Sequence, residues 1–286
     1  PHYLLAQQAR APQVQLNLGV SVRRNMEAIY DKIGVDYDTT READPVILSK
    51  LASLLDIHSS KKYVDVACGT GNYTSELAYF GGDWSAFDHS QQMLSEARTK
   101  SSLVNWQQFD VADTAYDDNY FDGATCSLAI HHFPNLGKAF TEIARILKLR
   151  GKLIIFTATP DQMKSYWLNH YFPIMMERSC DQMPSLELIE PSLKKTGINI
   201  EVTEPFFITP DLQDLFLYSG KQRPEMYLSD SVRNGISSFH NYCSESELSN
   251  GLGRLSEDIE TGAIKAIMEK YESDNGDYLF ISSCVH

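Results

Sequence analysis

The residues best suited to chemistry stand at the ends of short apolar runs. In Val64-Asp65-Val66-Ala67-Cys68-Gly69-Thr70-Gly71-Asn72-Tyr73-Thr74, two glycines follow a buried-strand pattern and precede a helical one. That placement lets the backbone pass close to a ligand without side-chain clash. A dinucleotide fingerprint wants a third small residue three positions after the second glycine, for close helix packing, and Thr74 stands there instead. Asp88 closes a second apolar run, where a carboxylate can accept both hydrogens of a ribose diol, a role shared by NAD and other adenosine ligands. Asp110 closes a third. Its carboxylate can accept from an adenine amino group while the Val111 N–H donates to a ring nitrogen. A Gly-rich turn alone is a weak signal, whereas three successive runs ending in this way point to an adenosine-bearing ligand.

These positions matter only if the surrounding elements bring them together. Asp44-Pro45 followed by Val46, Leu48, Leu51, Ala52 and Leu55 predicts a helix with a capping carboxylate and a proline at its first position. Residues 63–67 read as a buried strand, and after the Gly-rich turn 75–79 read as a helix. The unit recurs as a strand ending at Asp88, a helix through Met93, Leu94 and Ala97, and a strand ending at Asp110. Residues 123–128 form a fourth strand, Phe140, Ile143, Ala144 and Leu147 mark one face of a helix, and 152–156 form a fifth strand. Strands alternating with helices from about Tyr63 to Ala158 predict right-handed crossovers and a parallel, doubly wound α/β sheet, with ligands beyond the carboxyl ends of the strands.

After Pro160 the rhythm changes to an aromatic helix through Tyr166, Trp167, His170 and Tyr171 and a polar helix from Ser185 to Lys195. Residues 198–208 and 277–282 are strand-like, and the stretch between them is too long for a hairpin loop. It predicts a helical lobe inserted before the last strand. The expected organisation is an N-terminal extension over 1–28, a cofactor-binding core with a lid over 29–158, helices and a sixth strand over 159–210, a substrate-capping helical lobe over 211–272, and the last strand over 273–286.

Composition narrows the function. A chain of 286 residues, 43% hydrophobic and 22% charged, has the apolar content of a globular core, which excludes disordered, collagenous and disulfide-scaffold classes. Lys plus Arg number 25 against 38 Asp plus Glu, a net charge of −13. Such a surface repels phosphate backbones and anionic lipid, so small molecules, not nucleic acids or membranes, are the expected partners. Cys68, Cys126, Cys180, Cys243 and Cys284 form no C-x-x-C pair and accompany no histidine at zinc-finger spacing, so free thiols and no metal site are expected. Residues 1–25 lack a signal-peptide pattern and no run is long enough to span a membrane, which predicts a cytoplasmic location.

The segments Asp65–Gly71, Phe87-Asp88-His89-Ser90 to Met93-Leu94, Phe109-Asp110-Val111-Ala112, Phe121-Asp122, His131-His132-Phe133 and Leu147–Leu153 together resemble the class I S-adenosylmethionine-dependent methyltransferases, in particular the small-molecule and quinone-biosynthesis branch. The resemblance runs from about Tyr30 to Ala158 and implies a seven-stranded, mostly parallel Rossmann-like sheet. It implies that Gly69 and Gly71 underlie the methionine part of S-adenosylmethionine, that Asp88 holds the ribose, that Met93 packs on the adenine and that Asp110 with Val111 reads its edge. Asp65, Ala67, His89 and Ser127 complete the implied cofactor contacts. Ala67 stands where the family usually has its first glycine, and alanine fits there if its φ is negative. Residues 30–41 resemble the branch's lid, with Tyr37 covering the cofactor and Arg41 reaching its carboxylate. A surface ion pair is the alternative for Arg41.

A sulfonium methyl is already activated, so holding an acceptor in line with the carbon–sulfur bond outranks acid–base chemistry. His131 and His132 are the candidates for the lesser base or hydrogen-bonding role, with only one of the two expected to face the pocket. Tyr166, Trp167 and His170 are candidate acceptor walls, with plain core as the alternative. Lys221 and Arg223 suggest recognition of an acidic acceptor, against a solvated basic rim. The competing functions are a nicotinamide-dependent oxidoreductase and a non-catalytic cofactor-binding scaffold. The acceptor, the attacked atom (oxygen, nitrogen or carbon) and the oligomeric state stay open at this stage.

Overall fold

Five parallel strands form where the alternation of apolar runs and helical segments predicts them. The structure, a computed structural model, describes residues 40–286; the extension and most of the expected lid lie outside the described residues. Strands β1 (Lys62–Val66), β2 (Asp83–Asp88), β3 (Val104–Gln108), β4 (Phe121–Ser127) and β5 (Leu147–Thr157) pair in parallel. With β6 (Ile198–Phe206) and β7 (Tyr278–Val285) they make one sheet of order β3-β2-β1-β4-β5-β7-β6. β7 runs antiparallel to both its neighbours. The order reverses between β1 and β4, the switch point at which open α/β sheets bind ligands.

Alternating side chains feed two apolar layers. Tyr63, Trp84, Ala86, Ile154 and Phe156 pack on one face with helix α1 (Pro45–Leu55). Val64, Val66, Phe87, Leu153 and Ile155 pack on the other with α4 (Leu136–Ile146) and α8 (Leu186–Lys194). Between these, α2 (Asn72–Leu77) follows β1 and α3 (Gln91–Lys100) follows β2. The α1 start is as expected: the Asp44 carboxylate accepts from the Val46 and Ile47 N–H groups, with Pro45 first in the helix. Such a cap contributes about 1 kcal/mol.

No helix joins β3 to β4 among the described residues, and the sequence marks none there. That crossing is an irregular segment whose backbone is held from α4: Thr114 N–H donates to Glu142 and Arg145 donates to the Tyr116 carbonyl. The aromatic helix is shorter than predicted, with α5 (Pro160–Met163) ending early and α6 (Leu168–Tyr171) starting after Tyr166 and Trp167.

The chain then builds α7 (Pro173–Asp181), and the stretch between β6 and β7 adds α9 (Asp230–Asn234), α10 (Ser237–Tyr242), α11 (Glu245–Thr261) and α12 (Ile264–Lys270). This is the inserted helical lobe. It packs on α6 and α7 through rings: Tyr166 stacks on Tyr218 with centroids 3.8 Å apart, and Phe172 meets Phe239 at 5.0 Å. Gly251 of α11 lies so close to Phe172 that a β-carbon there would meet its ring at 2.3 Å. All five cysteines are free thiols. Among the described residues no helix is long and apolar enough to cross a membrane.

Candidate functional site

The carboxyl ends of β1 to β4 open into a single cavity of about 500 Å³, within the ~300–1,000 Å³ common for ligand pockets. The turn after β1 makes its floor. Cys68 N–H donates to the Phe87 carbonyl and Gly71 N–H to the Cys68 carbonyl, which curls the chain back before α2. Gly69 has φ 55°, and a β-carbon there would meet nothing within 4 Å, so open cavity lies above it. Gly71, with φ 72°, is different in kind: its missing β-carbon makes room for Trp106, which it would meet at 2.4 Å, and the residue caps α2 instead of lining the cavity. Ala67 has φ 54°, which overturns the expectation of a negative φ. An alanine occupies the left-handed region where the turn demands it, at a cost of roughly 1–2 kcal/mol.

Asp88 reaches the cavity from the end of β2. One carboxylate oxygen accepts from Gly69 N–H and the other from Ser90 N–H, both at 2.8 Å. Burial raises its pKa, opposed by these backbone donors. Asp65 lies deeper, accepting from the Thr74 and Thr125 hydroxyls. Burial pushes its pKa up to about 6. Thr74 is thus committed to Asp65 inside the fold, not to the close helix packing of a dinucleotide turn. His89, Met93, Asp110 and Val111 line the neighbouring wall, and Asp110 accepts from the Ala112 N–H at 2.9 Å. Ser127 lines the cavity at the end of β4, its buried hydroxyl without a protein partner.

Arg41 also borders the cavity. Its guanidinium is held by Asp214, with Nε and Oδ1 2.5 Å apart, and the Tyr73 hydroxyl donates to the same carboxylate. Arg41 is therefore neither an exposed cation nor a surface pair. Tyr37 lies outside the described residues.

His131 and His132 sit on a tight helical turn after β4, and both line the cavity, their ring centroids 3.9 Å apart. This corrects the expectation that only one would face it. Burial lowers both pKa values, His131 well below the usual range with help from its neighbour, and His132 to about 4. Both rings are neutral and weakly basic at neutral pH, and His131 Nδ1 is buried without a partner.

Of the expected acceptor residues, none of Tyr166, Trp167, His170, Lys221 and Arg223 lines this cavity; Trp167 and Lys221 border a separate surface pocket. Tyr166 donates to the Asp277 carbonyl and Trp167 Nε1 to the Lys221 carbonyl, so both are glue between the helices and the lobe. His170 stands at the surface beside Arg254. Lys221 is paired with Asp277 at 2.7 Å and Arg223 donates to the Leu212 carbonyl. Their polar ends are spent on internal partners. The cavity is closed instead by Met163, Ser179, Gln182 and Met183 from α5 and α7, and by Phe216, Leu217 and residues 235–238 from the lobe. These are spread over distant segments and share no local spacing that could have revealed them. Away from the cavity, Glu201, Cys284 and His286 bring ligand atoms within 4.8 Å of one another, a grouping made by pairing β6 with β7 and invisible in the spacing.

Residues 64–155 match the family model described as a methyltransferase domain. The chain is 25% identical over 195 residues to the demethylmenaquinone methyltransferase of Oceanobacillus iheyensis, covering 65% of this chain and 79% of that one. It is 30% identical over 152 residues to the magnesium-protoporphyrin O-methyltransferase of Rhodobacter capsulatus, covering 50% and 66%. Other demethylmenaquinone methyltransferases are matched over 50 to 92% of their own length. Among solved structures, a candidate methyltransferase from an antibiotic biosynthesis pathway of Anabaena variabilis superposes with a TM-score of 0.77 at 32% identity, covering 85% of this chain and 98% of that one.

Proposed function

The chain belongs to the class I S-adenosylmethionine-dependent methyltransferases, and on that premise we propose that its cavity binds S-adenosylmethionine against the β1–β4 edge and a small organic acceptor against the lobe. The observation that carries this reading is one cavity joining an anchored carboxylate at the end of β2, a second at the end of β3 and an open glycine floor between β1 and α2. The residues suit the cofactor: the space above Gly69 and the unpartnered Ser127 hydroxyl are what a bound polar ligand would fill and satisfy.

In this assignment Asp88, held by two N–H groups, accepts the ribose hydroxyls, and Asp110 with Val111 N–H faces the adenine edge. Met93 packs beside the base, and the backbone at Ala67 and Gly69 admits the methionine part. Arg41, oriented by Asp214, presents positive charge toward the carboxylate. Asp65, His89 and Ser127 complete the wall. When bound, S-adenosylmethionine would supply an activated methyl group to the acceptor's nucleophilic atom, with the carbon–sulfur electron pair returning to sulfur and any proton displaced from the acceptor passing to water after transfer. The protein's part is to align the two partners and exclude water. His131 and His132, as neutral imidazoles, orient the acceptor by hydrogen bonding and are too weakly basic for early deprotonation. Neither the nicotinamide-dependent alternative nor the non-catalytic scaffold is favoured.

Calorimetry with S-adenosylhomocysteine beside NAD tests this. Micromolar binding of the first and none of the second is expected, with Asp88→Ala abolishing it. Tight NAD binding, or unchanged affinity in the Asp88 variant, would defeat the assignment.

A further inference from the structure

Resting on the methyl-transfer reading, we propose that the acceptor is an uncharged, largely apolar molecule whose polar group is gripped by the Gln182 amide and the Ser179 hydroxyl, with Tyr242 as the residue that positions Gln182. The acceptor half of the cavity is walled by Met163, Met183, Phe216, Leu217 and Ile236, and none of the residues that α5, α7 and residues 235–238 place there carries a charge. Among the described residues the ion pair at its margin is Arg41 with Asp214, whose guanidinium the proposed function assigns to the cofactor carboxylate. His131 and His132 are held neutral by burial. The cations that could have met an acidic acceptor are engaged elsewhere: Lys221 with Asp277, Arg223 with the Leu212 carbonyl and Arg233 with Asp230. A carboxylate entering this space would lose its hydration with no counter-charge from the described side chains, and on protein holding the uncharged S-adenosylhomocysteine it would have none from the cofactor either. An ammonium would face the same deficit and also the positive sulfonium.

The polar features that remain are few and placed. Ser179 is fully buried on the cavity wall and its hydroxyl has no protein partner. Three residues on, Gln182 lies on the same face at the end of α7. The Tyr242 hydroxyl, at the end of α10, donates to Gln182 Oε1 at 2.9 Å. That bond fixes the orientation of the carboxamide, and Nε2, which bonds no other described residue, is left as a donor at the cavity. A hydroxyl that can accept and donate beside an amide that can only donate matches an acceptor bearing a hydroxyl or carbonyl oxygen on an otherwise apolar body.

The test is calorimetry on protein saturated with S-adenosylhomocysteine, using 2-naphthol, 6-hydroxy-2-naphthoate and 6-(aminomethyl)-2-naphthol as probes. The neutral probe should bind at least roughly tenfold more tightly than either charged one, a difference set by desolvation of the unpaired charge. Gln182→Leu should weaken 2-naphthol roughly tenfold, as loss of one hydrogen bond to a buried ligand does, and leave S-adenosylhomocysteine affinity within about twofold. Tyr242→Phe should act in the same direction by a smaller factor, and the double variant should be no worse than Gln182→Leu alone. A role in folding alone would instead lower stability and add to the Gln182 effect. Equal or tighter binding of a charged probe, no binding of 2-naphthol, or an unaltered Gln182→Leu variant overturns the inference. Failure of S-adenosylhomocysteine itself to bind would instead overturn the methyl-transfer reading beneath it.

Discussion

Replacing Ala67 by glycine should stabilise the protein, against the usual direction of alanine-to-glycine substitutions. Ala67 sits at φ 54° in the turn that leaves β1, where an L-residue's β-carbon crowds the following carbonyl at a cost of roughly 1–2 kcal/mol. Glycine removes that cost but adds conformational freedom to the unfolded chain, worth roughly 0.4–1 kcal/mol in the opposite sense. The net expectation is about 0.5–1 kcal/mol of added stability, read as a higher urea midpoint at unchanged slope. For a chain of this size, 1 kcal/mol corresponds to roughly 2–4 °C in Tm. The cofactor side should barely respond, because the Ala67 backbone that lines the cavity is kept when only its methyl is removed, so S-adenosylhomocysteine affinity should stay within about twofold. Lower stability in Ala67→Gly, with unchanged m-value, would refute the reasoning: it would mean that packing of the methyl outweighs the strain, and the left-handed geometry of the turn would no longer explain the position.

The two neighbouring glycines should separate binding from folding. Gly69→Ala meets nothing within 4 Å, so it should lose only the left-handed strain of roughly 1–2 kcal/mol while its methyl enters the cavity and weakens S-adenosylhomocysteine by calorimetry. Gly71→Ala drives into Trp106 and Ala97, adding roughly 1–3 kcal/mol of overpacking, so urea unfolding should rank it well below Gly69→Ala; the opposite ranking would contradict both geometries. Asp65, whose folded pKa of about 6 lies above its ordinary 3.8, binds its proton more tightly folded than unfolded. Its contribution therefore favours folding most at low pH and is lost as pH rises from about 4 to 6, by at most ~3 kcal/mol. Urea unfolding across that window should show this slope flattened in Asp65→Asn, and identical slopes in the two proteins would reject it. Because burial holds the His132 pKa near about 4, its imidazole resonances in NMR should stay constant from neutral pH down through the range where an exposed histidine titrates, and a midpoint near 6.5 would show that the ring is solvated.

The strand-end wall of the cavity was legible because its residues are local. Each candidate stands at the end of a strand, and a parallel sheet brings strand ends together whatever the detailed packing. Asp88, Asp110 and Gly69 could thus be picked out by counting from apolar runs. The opposite wall was not legible, for the opposite reason. Ser179, Gln182, Phe216 and Ser238 meet only through the docking of the lobe on α7, and no short-range spacing encodes that contact. Aromatic residues at helical spacing were ambiguous between wall and glue, and burial decided for glue: Tyr166, Trp167 and Tyr171 are all within 2% of fully buried. Charge in a sequence does not reveal its partner either: Lys221 pairs with Asp277 just before β7, and Arg223 donates to the Leu212 carbonyl. The φ of Ala67 was equally hidden, since residue type alone favours the negative value that the turn overrides.

The two walls are also mechanically one. Asp214 lies on the chain leaving β6 toward the lobe, is 1% exposed, and holds both Arg41 and the Tyr73 hydroxyl. Around it the same segment is stitched to the approach of α1: Leu215 N–H donates to the Thr40 carbonyl and Gln213 N–H to the Asp44 carboxylate that caps α1. Asp44 N–H in turn donates to the Tyr73 hydroxyl. A carboxylate buried to this degree is tolerated because two guanidinium N–H groups and the Tyr73 hydroxyl donate to it, and removal of Arg41 would leave its charge without compensation. The residue that holds Arg41 at the cavity is thus carried by the segment that opens the lobe. Any movement of that lobe must either preserve this junction or disturb the Arg41 guanidinium, so under the proposed function acceptor entry and cofactor retention would share one set of hydrogen bonds. Coupling between them needs no conformational relay: the contact is direct, and its strength is that of a buried, multiply bonded ion pair.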